Sequence, residues 1–564
     1  MKKLVLVQPF LFAIFPILSL FASNVKLVGL GEIVAPMIIV VCLTGLSLLV
    51  ATRLLRDSQA AAVTVSIFWV LFFSYGRVLN AIGGPAAGRD RHLLLVWVAL
   101  FAGSTFAVAR WRRPVPELAR IMTIVGLVLV AMPVVTAVPA LIPRRGTAVV
   151  RPANSAPLAQ ADPRTASDRS LAQPKGKLAT ETRQEQPGQV AVSATLAQPL
   201  GQAPAADTPS AEVAQAPAVA LLPKEPKQKP SIYYIVLDGY ARADVLQELY
   251  QYDNSEFIDG LEKRGFYVAA RSRANYCQTY LSLASSLNCT YLDEVAERAG
   301  EASDDRRPLQ EMLKNNAVTG FLREQGYTYV AFSSGYAEAE LRNADLYVTA
   351  PWSLTQFQSG LINTTPISPL VGLQYEGHRQ RILYVLDHLA DTTSMEPPLF
   401  VFAHLTAPHP PFVFGPQGEK ITPNRDFLFA DGSHYMAEGS RTEYEEGYKG
   451  QLSYINKRVV ATIDAILASS PAPPIIILQA DHGPGLKLNW YSFERTDPKE
   501  RMSIFNAYYL PGDGQKQVYE SITPVNTFRI IFNQYLGTDY ELLEDQSYFS
   551  LWDRPYQFIP VPAE

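Results

Sequence analysis

Hydrophobic residues gather in two separate regions of the chain. In the first 145 residues they form five long apolar stretches, roughly Leu4 to Ala22, Ile33 to Ala51, Ala60 to Leu79, Leu93 to Ala109 and Ile121 to Ile142. Each is near the length of about 20 residues that carries a helix across a bilayer. The pattern predicts a transmembrane module of about five helices over residues 1–145. The first stretch follows Lys2-Lys3, as a cleaved signal would, but no clear Ala-x-Ala site comes after it, and it is read as a helix.

From Gly146 to Lys229 the pattern disappears into Pro, Ala, Gln, Ser and Thr. Such a segment cannot bury enough apolar surface to fold, so a disordered linker is expected over 146–229. Its reach is on the order of 50 Å, since a flexible chain spans about 5–6 Å times the square root of its length.

Hydrophobic pattern returns over 230–564 as alternating short strands and amphipathic helices. Ile232 to Leu237, Leu399 to Ala403 and Pro474 to Gln479 are short apolar runs, which fit strands buried on both faces. Helices are predicted over Asn254 to Arg264 and Leu309 to Gln325, each stopped by a glycine, with a strand from Tyr327 to Phe332. Further helices are predicted over Glu376 to Leu389, along the spacing from Tyr444 to Ile466, and from Thr523 to Gly537. The tail after Glu541 carries no readable pattern. The alternation predicts an α/β domain with helices layered on a largely parallel central sheet, behind the α-helical membrane module.

At 564 residues there is room for both modules, and a net charge of −4 names no partner. No basic patch suggests nucleic acid. In the apolar region an N-inside topology puts Lys2, Lys3, Arg53, Arg56, Arg110, Arg112, Arg113 and Arg120 inside, against Lys26, Arg77, Arg89, Arg91, Arg144 and Arg145 outside. The positive-inside bias, with an odd number of spans, places the second domain outside the cytoplasm.

The three strands share one feature: each ends on an acid or a histidine. Asp238 follows the first, His404 the second with His409 five residues on, and Asp481-His482-Gly483 the third. Ligands of open α/β sheets bind beyond the carboxyl ends of the strands, so these are candidate metal or phosphate residues rather than turn formers. Thr279 precedes an apolar helical run. It suits an N-cap residue, and equally a nucleophile whose alkoxide the helix amides stabilise. Spacing does not separate the two readings.

These motifs resemble the alkaline phosphatase and sulfatase superfamily, in particular its membrane-anchored branch of phosphoglycerol and phosphoethanolamine transferases and lipoteichoic acid synthase-like proteins. The resemblance covers about Lys229 to Gly537. Asp238-Gly239 matches the first metal-ligand strand and Thr279 in Asn-Tyr-Cys-Gln-Thr the nucleophile. Pro408-His409-Pro-Pro-Phe412 matches the substrate-side loop, and Asp481-His482-Gly483 the second metal-ligand strand.

The resemblance implies an alkaline phosphatase-like α/β/α sandwich and one divalent ion, manganese or zinc, held by Asp238, Thr279, Asp481 and His482. Thr279 is then the nucleophile and His409 a substrate or proton-transfer group. His404 is either a supporting residue or a core histidine. The implied reaction moves a phospho-headgroup from a membrane lipid to an extracytoplasmic glycan or lipid through a covalent threonine. A phosphate or sulfate ester hydrolase, and an inactive anchored binding protein, remain as alternatives.

Departures from the pattern narrow the branch. Cys277 is followed by Gln-Thr-Tyr-Leu, which lacks the formylglycine motif of sulfatases, and no histidine has an aspartate four residues before it, as a two-zinc site needs. Asp238 stands where the headgroup transferases usually carry Glu. Cys277 and Cys289 lie on the oxidising side. A helix between them separates them by roughly 18 Å at about 1.5 Å per residue, beyond disulfide reach.

Overall fold

The computed structural model of the chain describes residues 5–25, 28–82, 89–111, 113–141, 229–351, 354–367, 372–423, 425 and 427–563. The linker expected over 146–229 lies outside them except for Lys229.

The apolar region forms helices Gln8–Ser23, Gly31–Leu55, Ser58–Ala81, Arg89–Arg110 and Val115–Leu141. Four of them have the length and composition to cross a membrane. The first is only 16 residues, about 24 Å at 1.5 Å per residue, short of a bilayer core of about 30 Å. It contains Pro16, and Ala13 and Ile17 are fully buried against neighbouring helices. The third begins where Asp57 accepts hydrogen bonds from the amides of Gln59 and Ala60, an N-cap that satisfies orphan donors.

The second region is built on a seven-stranded sheet. In chain order its strands are β1 (Ile232–Leu237), β2 (Tyr267–Val268), β3 (Thr328–Phe332), β4 (Leu346–Val348), β5 (Leu399–Leu405), β6 (Ile475–Gln479) and β7 (Asn506–Tyr509). The spatial order is β2-β7-β6-β1-β5-β3-β4. The core of the sheet is parallel, and β7 runs antiparallel to both β6 and β2. The three apolar runs read as doubly buried strands are the central ones, and every residue in them is buried.

Their alternate residues feed two cores. Tyr233, Ile235, Leu237, Val401 and Ala403 face one side, packed against the helices Gly372–His388 and Arg441–Ser469. Ile232, Tyr234, Val236, Phe400 and Phe402 face the other, under the helices Thr279–Asn288 and Pro524–Leu536. Continuous apolar strands are therefore read correctly as buried on both faces.

Two expectations are corrected, and the tail, which offered none, takes on structure. The helix expected over Leu309 to Gln325 is two, Arg307–Lys314 and Ala317–Glu324. Asn316 divides them: its side-chain oxygen caps the second at the Thr319 amide, and its NH₂ closes the first on the Leu313 carbonyl. Strand β5 runs through His404 to Leu405 instead of ending before it. The tail forms a hairpin, β8 (Tyr548–Leu551) and β9 (Arg554–Pro560).

Candidate active site

Strand register alone gathers the acids. Val236 pairs with His404 on one side and Gln479 on the other. Two residues on, Asp238 stands level with Asp481, and the alternation turns Asp238, His404 and Asp481 to one face. That face is the one covered by the helix Thr279–Asn288.

Thr279 is the first helical residue and not the cap. Gln278 holds the cap position with extended backbone, and no side chain caps the helix. The Thr279 hydroxyl is therefore free for chemistry. Its Oγ1 lies 3.1 Å from His482 Nε2. His482 Nδ1 donates to the Gly483 carbonyl at 2.9 Å, which leaves Nε2 as a bare lone pair for the threonine proton or a cation. Burial, reinforced by the Arg501 charge, holds this imidazole below its usual range and keeps it neutral.

The carboxylates provide the test of fit for a metal ion. Asp481 Oδ1 accepts from the amides of Gly239 and His482, and Asp238 Oδ2 accepts from His404 Nε2 at 3.0 Å. Asp238 Oδ1 and Asp481 Oδ2 are buried with no hydrogen-bond partner among the described residues. They lie 3.6 and 3.3 Å from His482 Nε2. Two bare carboxylate oxygens, one imidazole lone pair and one hydroxyl form a donor set that fits manganese or zinc. Burial would raise the Asp238 pKa, yet the charge of His409 and then the hydrogen bond and charge of His404 hold it far below the ordinary carboxylate range.

His404 also falls within the cluster: ligand atoms of Asp238, His404 and Asp481 lie within 4.8 Å of one another. Its Nε2 is already committed to Asp238 Oδ2, so it fits the role of orienting that ligand better than that of a ligand itself. Burial disfavours its charged form, but the Asp238 hydrogen bond and charge outweigh it and raise its pKa.

His409 reaches the same centre from the loop after β5, its ring centroid 6.1 Å from that of His482. Its amide donates to the Asp238 carbonyl, Nδ1 bonds the Pro410 carbonyl, and Nε2 lies 3.7 Å from Asp431 Oδ2. Gly239, between Asp238 and this loop, sits at φ +72°, the left-handed region that favours glycine.

Sequence reasoning missed two residues. Asp431 and Arg501 form a buried pair at 2.7 Å. The guanidinium also donates to the carbonyls of Cys277 and Gly483, at 2.9 and 2.8 Å, and so ties the loop before Thr279 to the loop after His482. Nothing in their local sequence marks them. The tail is the other omission. The Gln278 side chain donates to Ser550 Oγ at 2.8 Å, and the Ser550 amide to the Cys277 sulfur. Cys277 and Cys289, at opposite ends of the helix, are both free thiols.

No protein-family model matches the chain, and no curated protein matches it. Solved structures similar to it include the C-terminal periplasmic domain of EcEptC from Escherichia coli in complex with Zn. That match has 12% identity and a TM-score of 0.38 and covers 59% of this chain and 93% of that one. The soluble domain of lipooligosaccharide phosphoethanolamine transferase A from Neisseria meningitidis matches at 11% identity and a TM-score of 0.35, covering 55% and 88%. BT1596, a 2-O GAG sulfatase, matches at 13% identity and a TM-score of 0.36, covering 56% and 72%.

Proposed function

We propose that the chain is a membrane-anchored, metal-dependent enzyme that transfers a phospho-headgroup from a lipid to a glycan or lipid acceptor outside the cytoplasm, through a covalent threonyl phosphodiester at Thr279. The observation that carries the reading is the Thr279 hydroxyl, 3.1 Å from a neutral His482 nitrogen and unused as a helix cap, beside two bare carboxylate oxygens.

Asp238, Asp481, His482 and Thr279 are the residues that would hold one divalent ion, manganese or zinc. When bound, it lowers the hydroxyl pKa and neutralises charge on the phosphoryl oxygens. Thr279 Oγ1 attacks phosphorus, the Thr–O–P bond forms, and the bond from phosphorus to the lipid alkoxide breaks. The threonine proton passes to the leaving alkoxide, with His409 Nε2 on its Asp431 side as the shuttle. An acceptor hydroxyl then attacks the same phosphorus, the Thr–O–P bond breaks, and the acceptor's proton passes to Thr279 Oγ1, which restores the threonine hydroxyl. The amides of the helix Thr279–Asn288 add their positive end to the anion formed.

Four helices with the length and composition to span a bilayer support a lipid donor, since an enzyme for soluble esters needs a single anchor. The test is peptide mass spectrometry after incubation with candidate lipids. A headgroup mass on the Thr279 peptide, absent from Thr279→Ala, is the expected result. A fully active Thr279→Ala enzyme refutes the reading. Thr279→Ser is expected to keep part of the activity, because the attacking atom survives.

A further inference from the structure

The catalytic region meets the membrane helices along a short segment. Its helix, Gln356–Ile362, opens on a capping box: the Thr355 hydroxyl accepts from the Gln358 amide, and the Gln358 side chain accepts from the Thr355 amide. Seven residues are too few to hold a helix alone in water. Phe357 and Leu361, four apart and so on one face, are 5% and 8% exposed, in one cluster with Phe12, Ile17, Phe21, Trp69 and Phe73 of the membrane helices. The backbones also touch. The Gly76 amide donates to the Thr364 carbonyl at 3.1 Å, and a Cβ on Gly76 would fall 1.8 Å from the Asn363 carbonyl oxygen. Small residues let backbones approach closely at membrane helices, and here only glycine fits. Arg342 flanks the contact and pairs with Glu32 at 2.6 Å.

These contacts fall at one end of the membrane module. Phe21 is near the end of the helix Gln8–Ser23, Glu32 opens the helix Gly31–Leu55, and Gly76 is late in the helix Ser58–Ala81. They are the ends that an N-inside topology puts outside, so the place of contact and the count of basic residues agree. On its other side the segment is tied to the catalytic sheet. Asn363 Oδ1 accepts from Gln374 at 2.8 Å and the Leu354 carbonyl from Arg381 at 2.6 Å, both on the helix Gly372–His388. Ile382, Val385 and Leu386 of that helix share a core with Val401, Ala403 and Leu405 of β5. Strand β5 carries His404 and leads to His409. A continuous chain of packed and hydrogen-bonded residues thus joins the membrane helices to a strand of the candidate active site.

We propose that residues 354–367 are a dock that seats the catalytic domain on the outer ends of the membrane helices, so that the reaction centre works from a fixed station and takes its lipid donor from the bilayer beside its own module. The donor half of this inference rests on the phosphotransfer reading above, and the dock does not. A domain held only by residues 146–229 would range over distances on the order of 50 Å, with Phe357 and Leu361 in water. Docked, it buries both side chains and stays at one height, and the donor reaches it by diffusing in the plane of the membrane.

The test uses the full chain in detergent, with a protease site inserted after Gly188 and an affinity tag at the amino end. After the cut, the catalytic fragment is expected to stay with the tagged module through purification. Gly76→Leu should release it, since leucine suits a membrane helix but cannot share space with the Asn363 carbonyl. Arg342→Glu should weaken retention, and adding Glu32→Arg should restore it, which a misfolded chain would not do. The uncut chain is then placed in vesicles of phosphatidylglycerol and phosphatidylethanolamine. There Gly76→Leu should load headgroup onto Thr279 about tenfold more slowly than the parent chain, because a linker-held domain meets the bilayer only at the effective concentration its tether allows. Hydrolysis of bis(p-nitrophenyl) phosphate in solution should be the same in both. Release of the parent fragment, or full retention in Gly76→Leu, overturns the dock. Equal loading rates, or an equal loss in the soluble assay, overturn its part in donor supply. Retention with no headgroup on Thr279 in the parent chain refutes the phosphotransfer reading and the donor half with it, and leaves the dock standing.

Discussion

Arg501 and Asp431 lie 2.7 Å apart with almost no solvent on either, and neither belongs to the elements that carry the proposed metal ligands. Breaking a buried pair leaves a lone charge, which costs about 3–5 kcal/mol. Arg501→Met and Asp431→Asn should each destabilise the chain by that order. The double variant should cost less than the sum, because no unpaired charge remains. Chemical denaturation of the detergent-solubilised chain checks this, and strict additivity would contradict it.

The roles of His482 and His404 separate in metal content. Asp238→Ala, Asp481→Ala and His482→Ala each delete a proposed ligand and should leave the purified protein without stoichiometric ion. His404→Ala removes only the donor to Asp238 Oδ2, and should weaken affinity by about 10- to 100-fold. Titration with manganese and elemental analysis distinguish them. If His404→Ala abolishes binding while His482→Ala spares it, the ligand assignment is reversed.

Glu500 is a buried acid on the far side of the Gly483 contact. It accepts from Tyr250 and the Lys487 amide, and burial raises its pKa from 4.5 to about 7. Between those values the folded state holds a proton that the unfolded state has lost, so stability falls as pH rises from about 4.5 and levels off above about 7. The span corresponds to about 3 kcal/mol at 1.36 kcal/mol per pKa unit. Glu500→Gln should remove this part of the slope. An unchanged pH profile of denaturation midpoints in that variant would rule Glu500 out as its source.

The cysteines should be inert in the folded protein. Burial pushes the Cys289 thiol up to about 12 and raises that of Cys277. Since the thiolate is the reactive form, iodoacetamide should leave both unlabelled until denaturant is added. Rapid alkylation of either residue in the native state would contradict the burial described.

The central strands were legible because a strand buried on both faces must be apolar throughout, and β1, β5 and β6 stand where Ile232, Leu399 and Pro474 open their apolar runs. Asp238, Asp481 and His482 follow from the same logic, since a polar residue ending such a strand has nothing apolar to pack against. Long-range pairing was not legible. Arg501 and Asp431 are ordinary surface residues by local pattern, and only folding brings them together. Strands β2, β4 and β7 are two to four residues long, too short for a period to declare itself. Asn315-Asn316 read as part of a helix because propensity counts Asn as a weak former, whereas a side-chain cap makes it a boundary.

The docking of the tail on the Thr279 loop has a temporal consequence. Gln278 and Ser550 are 272 positions apart, yet the second braces the first. A chain made from its amino end delivers the threonine long before its brace. Until Ser550 and its hairpin arrive, Gln278, Cys277 and the start of the helix lack one wall. The hydroxyl proposed as nucleophile is thus completed only after the hairpin has been made, and chemistry at Thr279 before that point is structurally discouraged.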